Sequence, residues 1–346
     1  MPQHRWSPTC ERPAGLVRPV PVDPDGLVGP TRGQAQRGRF RATSRGLYVP
    51  AEVDGDVVEQ RILEQSARLR RYGAVTGWAA LRWRGANFFD GMTDGGRTVR
   101  PVPLVVGLAK LRGDPLIALS QEQLAPSERE FIDGVWCTTV QRAVFDEMRA
   151  APSLREAVVV LDMAAAARLI STSLMAEYVA KRSAWTGVPR VREALLLASD
   201  DSRSPQESRM RLVWVVDARL PTPLCNQPVF DLRGNLLGIP DLLDPVAGLV
   251  GEYDGADHKE GERHRRDVAR EDVFRNHGLE YFEIVGGDLR DRDRSAARMR
   301  NARARAKFLP SESRAWTLEP PPWYDVPEHL DDYLARIGRS HELVTT

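Results

Sequence analysis

Residues 238–258, GIPDLLDPVAGLVGEYDGADH, set three carboxylates, Asp241, Glu252 and Asp254, on what the pattern predicts to be one β-hairpin. Leu236 to Leu243 is apolar around Pro240-Asp241, Asp244-Pro245 is a turn signal, and Leu249 to Asp254 is a second strand-like run that stops at Gly255. Side chains alternate along a strand, so Glu252 and Asp254 share one side and Tyr253 takes the other. A charged side chain within an apolar strand is costly unless it is paired or bound to a metal, and converging carboxylates repel unless a cation lies between them. A hard divalent ion, Mg²⁺ or Mn²⁺, is the expected partner of such oxygen ligands. An ordinary hairpin-edge aspartate is the plain alternative for Asp241.

The same residues resemble the core of the PD-(D/E)xK nuclease superfamily, here as Pro240-Asp241, ten residues, then Glu252-Tyr253-Asp254. They are similar in more detail to its very-short-patch-repair (Vsr)-like endonuclease branch, whose second strand reads E-x-D-G-x-x-H, matched by Glu252, Asp254, Gly255 and His258. Upstream, Ser204, Pro205, Glu207 and Ser208 match that branch's Ser-Pro-x-Glu-Ser helix start. Downstream, the basic helix Arg263 to Arg275, the strand Leu279 to Val285 and Asp288-Leu289 match its closing elements. The resemblance implies an α/β C-terminal domain, restriction-endonuclease-like, with a mixed sheet flanked by helices. It further implies hydrolysis of DNA phosphodiester bonds by a water on one or two Mg²⁺ (or Mn²⁺) ions held by Asp241 and Glu252. Asp254 would be a third ligand or an anchor behind them, with Glu207 and His258 handling protons or positioning groups. For Glu207 a helix cap is the alternative: Ser204 suits the N-cap, Pro205 the first helical position, and Glu207 at the third would return a bond to the cap amide, worth ~0.5–2 kcal/mol. Most of the superfamily has lysine where Asp254 stands, although the Vsr-like branch has aspartate. That departure keeps a second reading open, a DNA-binding transcriptional regulator whose nuclease domain has lost activity.

At 346 residues the chain is long enough for two domains with a core each. A net charge of +1 with 28% charged residues is neutral on nucleic acid, so contact with DNA has to come from local patches; RNA stays open beside it. Cys10, Cys137 and Cys225 are few, odd in number and far apart, which argues against a disulfide framework or a thiolate zinc site. No apolar run is long enough to span a bilayer, and the first residues lack the apolar stretch of a signal peptide. The expectation is a soluble cytoplasmic protein with no membrane contact.

Four segments follow from punctuation and charge. Residues 1–30, rich in Pro and Gly, read as a poorly ordered arm. Residues 31–200 read as a mainly helical domain with a small β insert, 201–309 as the nuclease-like domain, and 310–346 as a Pro-rich tail with a short helix from Glu328 to Ile337. After a short helix at Thr31 to Gln36, the basic string RGRFR…RGLYVP with Arg39, Arg41 and Arg45 resembles the wing of AbiEi-type antitoxins, the regulatory half of a toxin-antitoxin pair. Ala74 to Leu81 resembles the helix after that wing. The match is partial, because a full winged helix needs three helices before its wing. It implies nucleic-acid contact through the three arginines and a protein partner for this domain; a solvated basic loop is the alternative. Trp78, Trp83 and Trp136 are expected in the core rather than under a stacked base. Further along, His258 or Lys259 would supply the cation that Asp254 cannot, while Arg266 and Arg298 lie on basic helices suited to phosphates, solvated i,i+4 pairs being the alternative for the first of these. The settings these resemblances imply are repair, phage defence or toxin-antitoxin control.

Overall fold

The computed structural model describes residues 6–93, 96–254 and 270–338. The chain forms two compact units, Met1–Pro152 with Leu174–Val191, and Ser153–Ser173 with Arg192–Thr346.

In the first unit, β1 (Val20–Pro21), β2 (Phe40–Ser44) and β3 (Leu47–Pro50) form an antiparallel sheet ordered β1-β3-β2. One short helix, Arg32–Gln36, precedes the β2–β3 hairpin. Its start is closed by a capping box: the Thr31 hydroxyl accepts from the Gln34 N–H, and Gln34 Oε1 accepts from the Thr31 N–H. Residues 6–30 depart from the expected arm. β1 pairs with β3, the Val17 N–H and C=O both bond the Gln60 amide at 2.9 and 2.8 Å, and the Arg12 guanidinium lies 4.0 Å over the Trp83 ring. Pro and Gly supply the turns of this segment, while its few apolar and polar anchors fix it.

The β part of this unit is larger than the small insert expected. A mixed five-stranded sheet, β8-β7-β4-β10-β9, runs through β4 (Ala74–Val75), β7 (Val102–Val105), β8 (Ile117–Ser120), β9 (Arg129–Ile132) and β10 (Val135–Thr138), and a small hairpin joins β5 (Met92–Thr93) to β6 (Thr98–Val99). These strands are too short to show a clear alternation. Ala74 to Leu81, expected as helix, is β4 followed by the start of the helix Gly77–Trp83; the break falls at Gly77, whose φ of +51° suits glycine. Trp78 and Trp83 are buried as expected, but Trp136 is 40% exposed, because it takes the face of β10 opposite the buried Val135 and Cys137. The helix Val140–Ala150 buries Arg142 completely, and that guanidinium is met by Glu122 at 2.8 Å, Asp146 at 2.9 Å and Glu128 at 3.3 Å.

The second unit is built on a four-stranded sheet of β11 (Leu224–Cys225), β14 (Leu242–Asp244), β15 (Leu249–Asp254) and β16 (Glu280–Val285) in that order. β11, β14 and β15 are antiparallel neighbours, while β16 runs parallel to β15, so the sheet is mixed. One face packs under the helices Pro205–Leu212 and Arg292–Arg305 through Met210, Trp214, Leu242, Leu249, Phe282 and Met299. The other carries Leu243, Val250 and Tyr281, covered by Phe274 and Trp316. Together these give an α/β fold. Leu236 to Leu243, expected as one strand, is two: β13 (Leu236–Gly238) joins β12 (Val229–Asp231) and β17 (Trp316–Thr317) in a separate sheet, and Ile239-Pro240 breaks the run because proline has no N–H to give a ladder. The segment read as a Pro-rich tail contributes β17 and the buried Trp316, and then the expected short helix at Leu330–Arg336. Among the described residues no helix is long and apolar enough to cross a membrane.

Candidate active site

The β14–β15 hairpin forms where the sequence places it, with Leu242 facing Gly251, Leu243 facing Val250 and Asp244 facing Leu249. One step further along this register, Asp241 stands beside Glu252. Its Oδ2 accepts the Tyr253 N–H at 2.8 Å, and its carbonyl accepts the Asn226 N–H at 3.2 Å. Glu252 is 14% exposed at its side chain and is held by Arg270, whose Nη2 lies 2.8 Å from Glu252 Oε1 and donates to the Ile239 carbonyl at 2.7 Å. Alternation follows the expectation: Tyr253 packs against the core under Pro205–Leu212, which leaves Glu252 and Asp254 on the opposite face with Val250. Asp254 ends β15, its carbonyl accepting the Gly286 N–H at 2.9 Å.

A further carboxylate belongs here. Glu283 on β16 is the register partner of Glu252 and points to the same face, since residues paired in register share a side of the sheet. Burial first, then the negative charges of Glu252 and Glu283, push the Tyr281 hydroxyl strongly up, which places all three in one electrostatic neighbourhood. Glu283 escaped the sequence reading because nothing in residues 255–279 announces the parallel register that carries it to Glu252.

Glu207 reaches the hairpin by another route. Ser204 Oγ accepts the Glu207 N–H at 3.2 Å with Pro205 at the first helical position, as expected of a capped start. The return bond differs: Glu207 Oε2 accepts from the Arg203 N–H at 2.9 Å, one residue before the cap, and from Asn226 Nδ2 at 2.8 Å. Asn226 therefore ties Glu207 to Asp241 through its two nitrogens, from a left-handed backbone position (φ +49°) that asparagine tolerates better than most residues. Glu207's helix covers the face opposite Glu252, so it meets the others only at the sheet end.

These carboxylates are the oxygen donors that a hard divalent ion takes. Among the described residues, however, no three His, Cys, Asp or Glu side chains come together closely enough to hold an ion. The chemistry of the donors fits the metal; their present arrangement is that of Asp241 and Glu252 side by side, with a guanidinium on the second. All three cysteines are free, and burial raises the Cys137 and Cys225 thiols to about 11, so neither offers a thiolate near neutral pH.

His258, Lys259 and Arg266 lie outside the described residues. Arg298 is exposed on the helix Arg292–Arg305, where it pairs with Asp288 at 3.0 Å and lines a groove of about 580 Å³ with Arg275, Arg294 and Arg305. Three of those four arginines are met by acids, Arg275 by Glu271 and Glu280, Arg305 by Glu280, and Arg298 by Asp288. In the N-terminal hairpin Arg39 and Arg45 are exposed, whereas Arg41 binds Glu64 at 2.6 Å and the Val53 carbonyl at 3.2 Å. Its charge is spent inside the unit.

No family model matches the chain, and no curated protein and no solved structure matches it.

Proposed function

We propose that the protein is a metal-dependent endonuclease that hydrolyses DNA phosphodiester bonds, with Mg²⁺ or Mn²⁺ held by Asp241 and Glu252. The observation that carries this reading is the placement of Asp241, the residue just before β14, next to Glu252 of β15, at the end of a mixed sheet flanked by helices, with Glu207 tied in through Asn226. An ion bound there would supply an acidified water and offset charge on the phosphate. Asp241 and Glu252 would hold it, Asn226 fixes the main chain of Asp241, and Asp254 keeps negative charge at the strand end. Arg270 brings the positive charge that lysine gives in most of the resembled superfamily. His258, in the register of the branch it resembles, is assigned to proton handling.

The test is nicking of supercoiled plasmid in Mg²⁺ or Mn²⁺ by the intact chain and by Asp241→Asn. Asparagine keeps an oxygen for the Tyr253 N–H, so the variant stays folded while nicking is lost. A folded Asp241→Asn protein that still nicks would sink the assignment. A second reading, an inactive DNA-binding regulator of the AbiEi antitoxin type, is favoured by one observation: the Arg270 guanidinium already neutralises Glu252. Under it, duplex binding is unchanged in EDTA and no plasmid is cut.

A further inference from the structure

Cross-strand partners Phe131 and Trp136, on β9 and β10, bring their rings to 5.2 Å between centroids. Arg129, two residues from Phe131 on the same strand face, lays its guanidinium 4.2 Å from the Trp136 ring and 5.9 Å from Tyr72, and Arg71 lies 5.4 Å from that same tyrosine ring. The result is a row of rings and cations, Tyr72, Arg129, Trp136, Phe131, at the edge of the five-stranded sheet. Its rings are open to solvent, at 67% for Tyr72, 40% for Trp136 and 60% for Phe131. Among the described residues neither Arg71 nor Arg129 makes an ion pair; Arg129 Nη1 donates instead to the Arg71 carbonyl at 2.9 Å. Several other arginines of the unit are matched to acids, as with Arg84 and Glu130 at 2.6 Å and Arg142 with its three carboxylates.

We infer that this row binds single-stranded DNA, bases stacking on the three rings and phosphates meeting Arg71 and Arg129. An apolar protein surface laid here would bury two guanidinium charges that have no carboxylate partner, which is costly. A single strand supplies what both halves of the row lack, since every base has a face to stack and every linkage a charge. A duplex keeps its bases stacked on each other and cannot use the rings. The choice of DNA over RNA rests on the nuclease reading above; the stacking and the charge do not.

The test measures anisotropy of a fluorescent oligo(dT) with the full chain in EDTA, where no cleavage intervenes, so it fails or succeeds separately from plasmid nicking. Trp136→Ala and Phe131→Ala are expected to weaken binding about tenfold each, within the range for a stacked base, while Trp136→Phe keeps most of it. The double variant Arg71→Gln/Arg129→Gln flattens the plot of log affinity against log salt by about 1.4, at ~0.7 for each single-strand phosphate contact. If a thermal melt finds Trp136→Ala unfolded, Tyr72→Ala, outside the sheet, carries the same expectation. The inference is overturned if the folded variants bind oligo(dT) like the parent, or if the parent does not bind it. Preference for oligo(U) overturns the choice of DNA. Self-association lost in the variants, with no oligonucleotide bound, assigns the row to a protein contact instead.

Discussion

Arg270 holds Glu252, one guanidinium nitrogen lying 2.8 Å from its carboxylate and 2.7 Å from the Ile239 carbonyl. Any divalent ion that uses Glu252 therefore competes with a cation already in place. Under the proposed function, Arg270→Gln is expected to bind Mn²⁺ about fivefold more tightly, the equivalent of losing one partly exposed ion pair of ~1 kcal/mol. Titration followed by the electron spin resonance of free Mn²⁺ reads this without cleavage. Equal or weaker binding by the variant would remove Arg270 as a competitor.

Gly251, immediately before Glu252, has its missing Cβ aimed straight at the buried Phe282 ring, too close for an added methyl group. Gly251→Ala is expected to cost ~1–3 kcal/mol by overpacking, read as a lower urea midpoint, and Phe282→Leu in the same chain should recover part of it. If alanine is tolerated at no cost, the β15–β16 spacing is looser than this contact requires.

Arg211 and Asp162 form a buried pair at 2.6 Å, with side-chain exposures of 4% and 0%. Arg211→Met leaves an unpaired carboxylate inside the unit and is expected to cost ~3–5 kcal/mol. Replacing both, as Asp162→Leu/Arg211→Met, is expected to cost less than the single change. A double variant as unstable as Arg211→Met would show that the loss comes from packing rather than from stranded charge.

Acid should loosen the first unit. Hydrogen bonding from Arg149 holds Glu122 below the usual carboxylate range. Burial pushes Glu128 up, but the Tyr178 hydroxyl together with Arg142 and Arg182 outweighs it and leaves Glu128 lowered as well. Both groups take a proton more readily in the unfolded chain, so their stabilisation is complete above the ordinary carboxylate pKa of about 4.3 and fades as pH falls through the lowered native values. Melting temperature is expected to drop between about pH 5 and pH 3, and to drop less steeply in Glu122→Gln/Glu128→Gln. Parallel curves for variant and parent would exclude these two as the source.

What the sequence could disclose depended on how far apart the interacting residues lie. Alternation alone separates Glu252 from Tyr253, and the Asp244-Pro245 signal alone closes the hairpin, because both are local. Glu283, Arg270 and Asn226 were not legible, since each enters the site through a pairing or side-chain bond remote in sequence from its partner. Trp136 misled for a related reason: a large apolar side chain suggests a core, and only the packed structure reveals that the face it takes on β10 is the open one. Arg41 looked like its neighbours Arg39 and Arg45 until Glu64, on the following helix, claimed it.

The parallel ladder between β15 and β16 has a consequence for synthesis. Residues 249–254 acquire their second neighbour only when residues 280–285 arrive, and β12 waits for residues 316–317. A chain still emerging from the ribosome thus exposes Leu249 and Val250 with half their main-chain partners missing, the condition in which nascent proteins recruit chaperones or pair with one another. Glu252 is carried on that same late-completed strand, so unfinished chains cannot assemble its surroundings.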